Sequence, residues 1–155
     1  MMKFDYAYTF GLPQKLVWRW IKDANVLGKS ITGCKSFTEI KPGVYHGIID
    51  MGIGAISENY HLEVQRIQEK KPSFYRLHVN GSGNIGNIVA RVDLYLREIP
   101  GACNLNIHAE ARVDGALAVA GEHVINGFAA KGIERFFQRL EKEIKRSIHT
   151  TRKGR

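Results

Sequence analysis

The residues whose types and spacing could do chemistry are a glycine run, six histidines, two cysteines and an unusual number of tyrosines. Gly81-Ser82-Gly83-Asn84-Ile85-Gly86 has the G-x-G-x-x-G spacing of a dinucleotide-binding turn. Such a turn works only where a helix follows directly, so that its N-terminus meets the pyrophosphate. Residues 87–97 instead alternate polar and apolar, the period of a strand, so the run predicts a glycine-rich hairpin. In a fold with a cavity, that hairpin would be a lip. His46, His61, His78 and His108 fall at the polar positions of alternating stretches, and His123 flanks a helical stripe. The chain has no H-x-x-x-H or H-E-x-x-H, and Cys34 and Cys103 lie in separate segments, so no zinc spacing is present. A nucleophilic Cys34 needs an adjacent base, and the sequence supplies no evidence of one. Asp93, Glu63 and Glu110 face outward by parity, whereas general acid–base chemistry needs a perturbed acid inside a pocket. These patterns disfavour an enzyme, a metal site and a bound cofactor.

What remains is an aromatic interior. Tyr6, Tyr8, Tyr45, Tyr60 and Tyr75 all fall on predicted inward faces. A dry core would more simply use Phe, because buried hydroxyls need partners. An apolar pocket with a few hydroxyls suits an aromatic or quinone-like ligand. The candidate ligand-binding set is Tyr6, Tyr8, Tyr45, Met51, Tyr60, Tyr75, Leu77, Ile88, Val92, Leu105, Ile107, Val124 and Phe128. The competing reading of the same residues is packed core.

The elements that must position them are legible in the periodicity. Residues 3–10 alternate, with Phe4, Tyr6, Tyr8 and Phe10 on one side. Pro13 opens a short helix at a first-turn position, with Leu16, Val17, Trp20 and Ile21 on its apolar side and Trp18 flanking. Asp23 caps a second short helix. Six further strands follow, joined by turns at Lys41-Pro42-Gly43, Glu69-Lys70-Lys71-Pro72, the glycine run and Ile99-Pro100-Gly101. Gly52 and Gly54 suggest a kink or bulge. From Asp114 to the end, apolar residues from Leu117 through Phe128, Phe136, Phe137 and Leu140 to Ile148 recur at steps of three and four, which predicts one long helix. Short turns make the sheet antiparallel with one apolar face, and only the terminal helix is long enough to cover it. The expected class is α+β: a curved antiparallel sheet of about seven strands wrapped around a long C-terminal helix, with two short helices after the first strand. Residues 1–148 form one domain and 149–155 a basic C-terminal tail. Residues 117–128 should wall the pocket and residues 133–144 should anchor the helix.

Charge is concentrated at that end. From Lys131 onward nine basic residues face three acidic ones, a surplus of six out of the chain's net +8. A solvated face accounts for this simply. Lys142, Lys145, Arg146, Arg152 and Lys153 are also candidates for docking on anionic lipid or an acidic partner, with nucleic acid least favoured. No apolar run approaches the ~20 residues that span a bilayer. The first ten residues lack the features of a signal peptide. With two cysteines, the expectation is a cytoplasmic protein, peripheral to the membrane at most.

The chain resembles the CoxG family of carbon monoxide dehydrogenase proteins, a branch of the START-related helix-grip superfamily (the birch-pollen-allergen-like fold). The resemblance rests on Pro13, Val17-Trp18 and Asp23, and on Thr32-Gly33-Cys34, where the family commonly has Pro-Gly-Cys. It continues through Gly43-Val44-Tyr45-His46-Gly47, Tyr75 with Gly81, Gly83 and Gly86, and Phe136-Phe137. Its most specific part is Val113-Asp114-Gly115-Ala116-Leu117-Ala118-Val119-Ala120-Gly121. The resemblance implies a non-enzymatic protein without its own metal or cofactor. It would bind a hydrophobic, lipid- or quinone-like molecule in an internal cavity and assist maturation or membrane recruitment of a CO dehydrogenase-type molybdenum oxidoreductase. A polyketide-cyclase- or dehydratase-like enzyme, or an adaptor using the basic helix end, are the alternatives on the same fold.

Overall fold

The structure, a computed structural model, describes residues 1–53 and 56–153 and leaves aside the side chains of residues 51–53, 56–57, 128 and 151–153. Met51, Phe128, Arg152 and Lys153 therefore lie, as side chains, outside the described residues, as does Gly54. Strand β1 (Met2–Phe10) is followed by helices α1 (Gln14–Trp20) and α2 (Ala24–Ser30). Then come β2 (Cys34–Lys41), β3 (Val44–Ile53), β4 (Ile56–Lys70), β5 (Phe74–Ser82), β6 (Ile88–Ile99) and β7 (Ala102–Val113). The chain closes with α3 (Gly115–Ala120) and α4 (Glu122–Lys153). The seven strands form one antiparallel sheet in the order β1-β7-β6-β5-β4-β3-β2. This is the helix-grip arrangement expected from the alternation of the strands and the length of the final helix.

Three local features depart from the sequence expectation. First, the terminal helix is broken. Gly121 adopts φ 90°, which L side chains rarely tolerate, and separates α3 from α4. Its carbonyl accepts from the Ile125 N–H at 3.2 Å and so starts the second helix. Second, Trp18 is a core residue, 3 % exposed and edge-on to Tyr75 at 5.6 Å. In a seven-residue helix the set Val17, Trp18 and Ile21 is as helical as the set expected, and it faces the core. Pro13 sits one position before the first turn, where its carbonyl accepts from Leu16 and Val17. Third, β3 pairs with β4 without a shift from Val44↔Gln65 to Ile53↔Ile56, so Gly52 makes no bulge. The register shifts fall instead between Cys34 and Ser36, Glu39 and Lys41, and Arg66 and Gln68. Asp23 caps α2 as expected, accepting from Val26 N–H at 3.0 Å.

The core is lopsided. Phe10, Val17, Ile21, Leu94, Leu96, Cys103 and Leu105 pack under α1, α2 and the second half of α4. From α4, Phe137, Leu140 and Ile144 are at most 3 % exposed, so residues 133–144 do anchor the helix. Phe137 holds a ring stack, within 5.7 Å of both Tyr6 and Tyr8, 6.2 Å of Phe10 and 5.0 Å of Phe136. Towards its start the helix lifts off the sheet. Val124 is 49 % exposed, and α3 buries no residue. The concave sheet face beneath, including Leu77, Val79, Ile88 and Val92, is only partly buried.

Candidate functional site

An apolar cavity of about 150 Å³ lies between the sheet, the α2–β2 connection and α4. Tyr45, Leu62, Tyr75 and Leu77 come from the sheet, Leu27 from α2, Ile31 from the connection after it, and Phe136 and Phe137 from α4. Its size is that of one aromatic ring, since an apolar hole of about 150 Å³ accepts benzene. Beyond it, partly covered Val79 also lines the space, and the half-exposed concave face continues away from the core. One end carries charge. Lys22 and Arg66 line the cavity and pair with Glu69 at 3.4 and 3.5 Å. The Arg66 Nε–H is buried without a protein partner.

Of the expected ligand-binding residues, Tyr45, Tyr75 and Leu77 line this cavity. Leu105 and Ile107 are core, at 0 % and 6 % exposure, and do not line the cavity. Ile88 and Val92 are partly buried on the concave face outside the cavity. Val124 does not wall it, because the first turns of α4 stand away from the sheet. Tyr6 and Tyr8 lean on Phe137 instead. Arg66, Leu94, Phe37, Ile31 and Phe136 line the cavity and were missing from the set. Phe136 carried a signal, as it belonged to the predicted stripe.

The hydroxyls of Tyr8, Tyr45 and Tyr60 are engaged by the protein itself. Tyr8 donates to Glu141 Oε1 at 3.2 Å, Tyr45 to the Lys22 carbonyl at 2.6 Å and Tyr60 to the Gly86 carbonyl at 2.9 Å. These three tyrosines thus tie loops and helix to the sheet. Burial pushes the Tyr8 hydroxyl up to about 12, helped by Glu141. Burial does the same to Tyr60, to about 12, with Asp114 and Glu58 adding to it, and raises Tyr45 and Tyr75 as well. Hydroxyls shifted this way are poor proton donors or acceptors near neutral pH.

The glycine run is a strapped hairpin with no helix after it. A Cβ on Gly81 or Gly83 would come within 2.5 or 2.6 Å of the Tyr60 ring, so the ring needs both glycines. Asp114 does not cap α3. Its carboxylate accepts from Asn87 N–H at 2.7 Å and from the Asn87 side chain at 3.3 Å. Leu117 N–H reaches the Ile85 carbonyl at 2.9 Å. The start of α3 and residues 84–87 therefore form one joined piece.

The remaining chemistry-bearing groups stay apart. His46, His61, His78 and His108 are exposed as expected, with His46 3.1 Å from Glu63 and His108 against Asp5. Among the described residues no three His, Cys, Asp or Glu side chains are grouped to hold a metal. Cys34 hydrogen-bonds the Ser36 carbonyl and burial raises its thiol, while burial lifts Cys103 to about 11. A larger groove of about 560 Å³ crosses the outer face over β2 to β5. Its rim mixes His46, His61, Glu63 and Asn80 with Ile40 and Ile48, and it opens to solvent. At the basic end, Lys145 pairs with Glu141 at 3.0 Å and Arg146 with Glu143 at 3.2 Å, whereas Lys142 is exposed. No helix among the described residues is long and apolar enough to cross a membrane.

Comparison with known proteins agrees with this architecture. A conserved protein from Geobacillus kaustophilus superposes with a TM-score of 0.88 at 29% identity, over 94% of this chain and 97% of that one. A protein from Chromobacterium violaceum (TM-score 0.69, 13% identity, 92% and 96% covered) and one from Thermus thermophilus (TM-score 0.69, 8% identity, 94% and 98% covered) share the fold. No curated protein matches the chain significantly. The profile of the carbon monoxide dehydrogenase CoxG family matches residues 10–145, nearly the whole of the helix-grip domain, and the chain belongs to that family.

Proposed function

We propose that the chain is a non-catalytic binder of a lipophilic, lipid- or quinone-like molecule. In this reading it serves a CO dehydrogenase-type molybdenum oxidoreductase as an accessory or recruitment factor. The observation that carries the proposal is the apolar cavity between Tyr45, Tyr75, Leu77 and Phe136, open towards a half-covered concave face. About 150 Å³ holds a ring, and the apolar face beyond it offers a track for a chain. The orphan Arg66 Nε–H is a donor at an otherwise apolar site, suited to the carbonyl of a quinone or an acyl group. The cavity's Tyr45 and Tyr75 hydroxyls, raised by burial, favour binding over acid–base turnover. The family name supports the oxidoreductase link.

Native mass spectrometry of the purified protein tests the reading, alone and with a short-chain alkyl benzoquinone. The expected result is a retained hydrophobic adduct and quenching of Trp18, which lies against Tyr75. Repeated failure to retain any quinone or lipid would count against the proposal. Association with the oxidoreductase is tested separately, by co-sedimentation with a purified CO dehydrogenase-type enzyme.

A further inference from the structure

Beside the apolar cavity lies a second cleft of about 250 Å³, lined by Thr32, Arg135, Gln138, Arg139 and Lys142. It contains donors and cations and no carboxylate. None of Arg135, Arg139 and Lys142 makes an ion pair among the described residues, although other basic residues of α4 do. Two carboxylates of the same helix are directed elsewhere. Glu141 holds Tyr8 and Lys145, and Glu143 holds Arg146. Arg139 is seated by a 3.1 Å hydrogen bond to Thr32 Oγ1, which joins the helix to the α2–β2 connection.

The two spaces are lined by neighbouring residues of the same two segments. Ile31 and Phe136 line the apolar cavity, and their chain neighbours Thr32 and Arg135 line the cationic cleft. Adjacent Cα atoms are about 4 Å apart, so the two linings are one residue apart on both segments, a separation short enough for one amphiphile to reach from one to the other. We propose that this cleft binds the anionic head, a phosphate or carboxylate, of an amphiphile whose apolar part occupies the neighbouring cavity. The assignment rests on the cavity being a ligand site and narrows its ligand to an acidic lipid. Guanidinium groups suit such a head because they donate in pairs to its oxygens.

The test is calorimetric titration with submicellar dodecyl phosphate, with dodecanol, and with inorganic phosphate. The proteins are the wild type and the double variant Arg135→Gln/Lys142→Gln, whose exposed side chains carry no fold contact. In low salt, dodecyl phosphate should bind the wild type roughly 10- to 100-fold more tightly than dodecanol, the range expected for charge-assisted hydrogen bonds. The advantage should shrink with added salt. In the double variant it should fall to within about threefold, with dodecanol unchanged. Equal affinity of the two amphiphiles for the wild type would overturn the head assignment and leave the cavity reading standing. Inorganic phosphate binding as tightly as dodecyl phosphate would make the cleft a free-anion site and overturn the amphiphile. Binding by neither amphiphile would remove the cavity reading, and this inference with it.

Discussion

Truncating Phe137 to Ala tests both the core and the cavity. The side chain is 3 % exposed, touches four aromatic rings and lines the apolar cavity. Phe→Ala changes in cores cost about 3–5 kcal/mol, and the upper end applies where neighbours cannot collapse into the hole. They cannot easily do so here. Tyr8 is tethered to Glu141, Tyr6 and Phe10 are fixed in a strand paired along its length with β7, and Phe136 is held on the same helix. At about 2–4 °C per kcal/mol for a chain of this size, the midpoint of thermal unfolding should fall by roughly 6–20 °C. The new space joins the existing cavity, so benzene or toluene should restore part of the loss by binding the folded state. Phe137→Leu, costing less, covers the case in which Ala does not fold. A midpoint within about 2 °C of wild type would refute the placement of Phe137 at the core's centre. A large loss with no response to an aromatic ligand would refute the continuity of core and cavity.

Arg76 grips Asp93 through two bonds of 2.7 and 3.1 Å and, by that hydrogen bond, holds the carboxyl below its usual range. Its contribution should be full above the ordinary Asp pKa and be lost as pH falls through the lowered folded value. Arg76→Gln should therefore destabilise the fold at pH 7 in urea unfolding and progressively less in acid, and a pH-independent difference would contradict this. Tyr60→Phe should cost about 1 kcal/mol and speed amide exchange at residues 84–87, because the Gly86 carbonyl loses its donor. Gly81→Ala should destabilise by about 1–3 kcal/mol through collision with Tyr60, and wild-type stability would show that the ring moves freely. Reversing the charges of Lys142, Lys145 and Arg146 should weaken any low-salt binding to anionic vesicles, chiefly through Lys142, since the other two already have carboxylate partners. Equal losses from all three single reversals would contradict that ranking.

The strands were readable because inward and outward residues alternate without interruption, most clearly from Cys103 to Val113. Helix boundaries were harder. The apolar stripe runs on through Gly121, so nothing in its period announces the break, and the glycine itself is ambiguous between a cap and a mid-helix defect. Asp114 has the right residue type for a cap, yet Asn87, 27 positions earlier, takes its carboxylate. Parity identified which residues face inward but not which of them meet a helix. That is why Leu105 and Val124, alike in the sequence pattern, end at 0 % and 49 % exposure. The cationic cleft was invisible because Thr32 and Arg139 are 107 positions apart. The pairings of Lys145 and Arg146, by contrast, follow from carboxylates one turn away and could have been read from spacing.

The uneven seating of α4 leaves one half of the helix packed on the sheet and the other half largely in solvent. Substitutions under Phe137, Leu140 and Ile144 strike the foundation, while those around Val119 and Val124 alter surface that little else depends on. The packed half also lines the apolar cavity through Phe136 and Phe137, so reshaping that cavity from the helix side touches the same residues that hold the fold. The exposed half, by contrast, can be rewritten at small risk to folding.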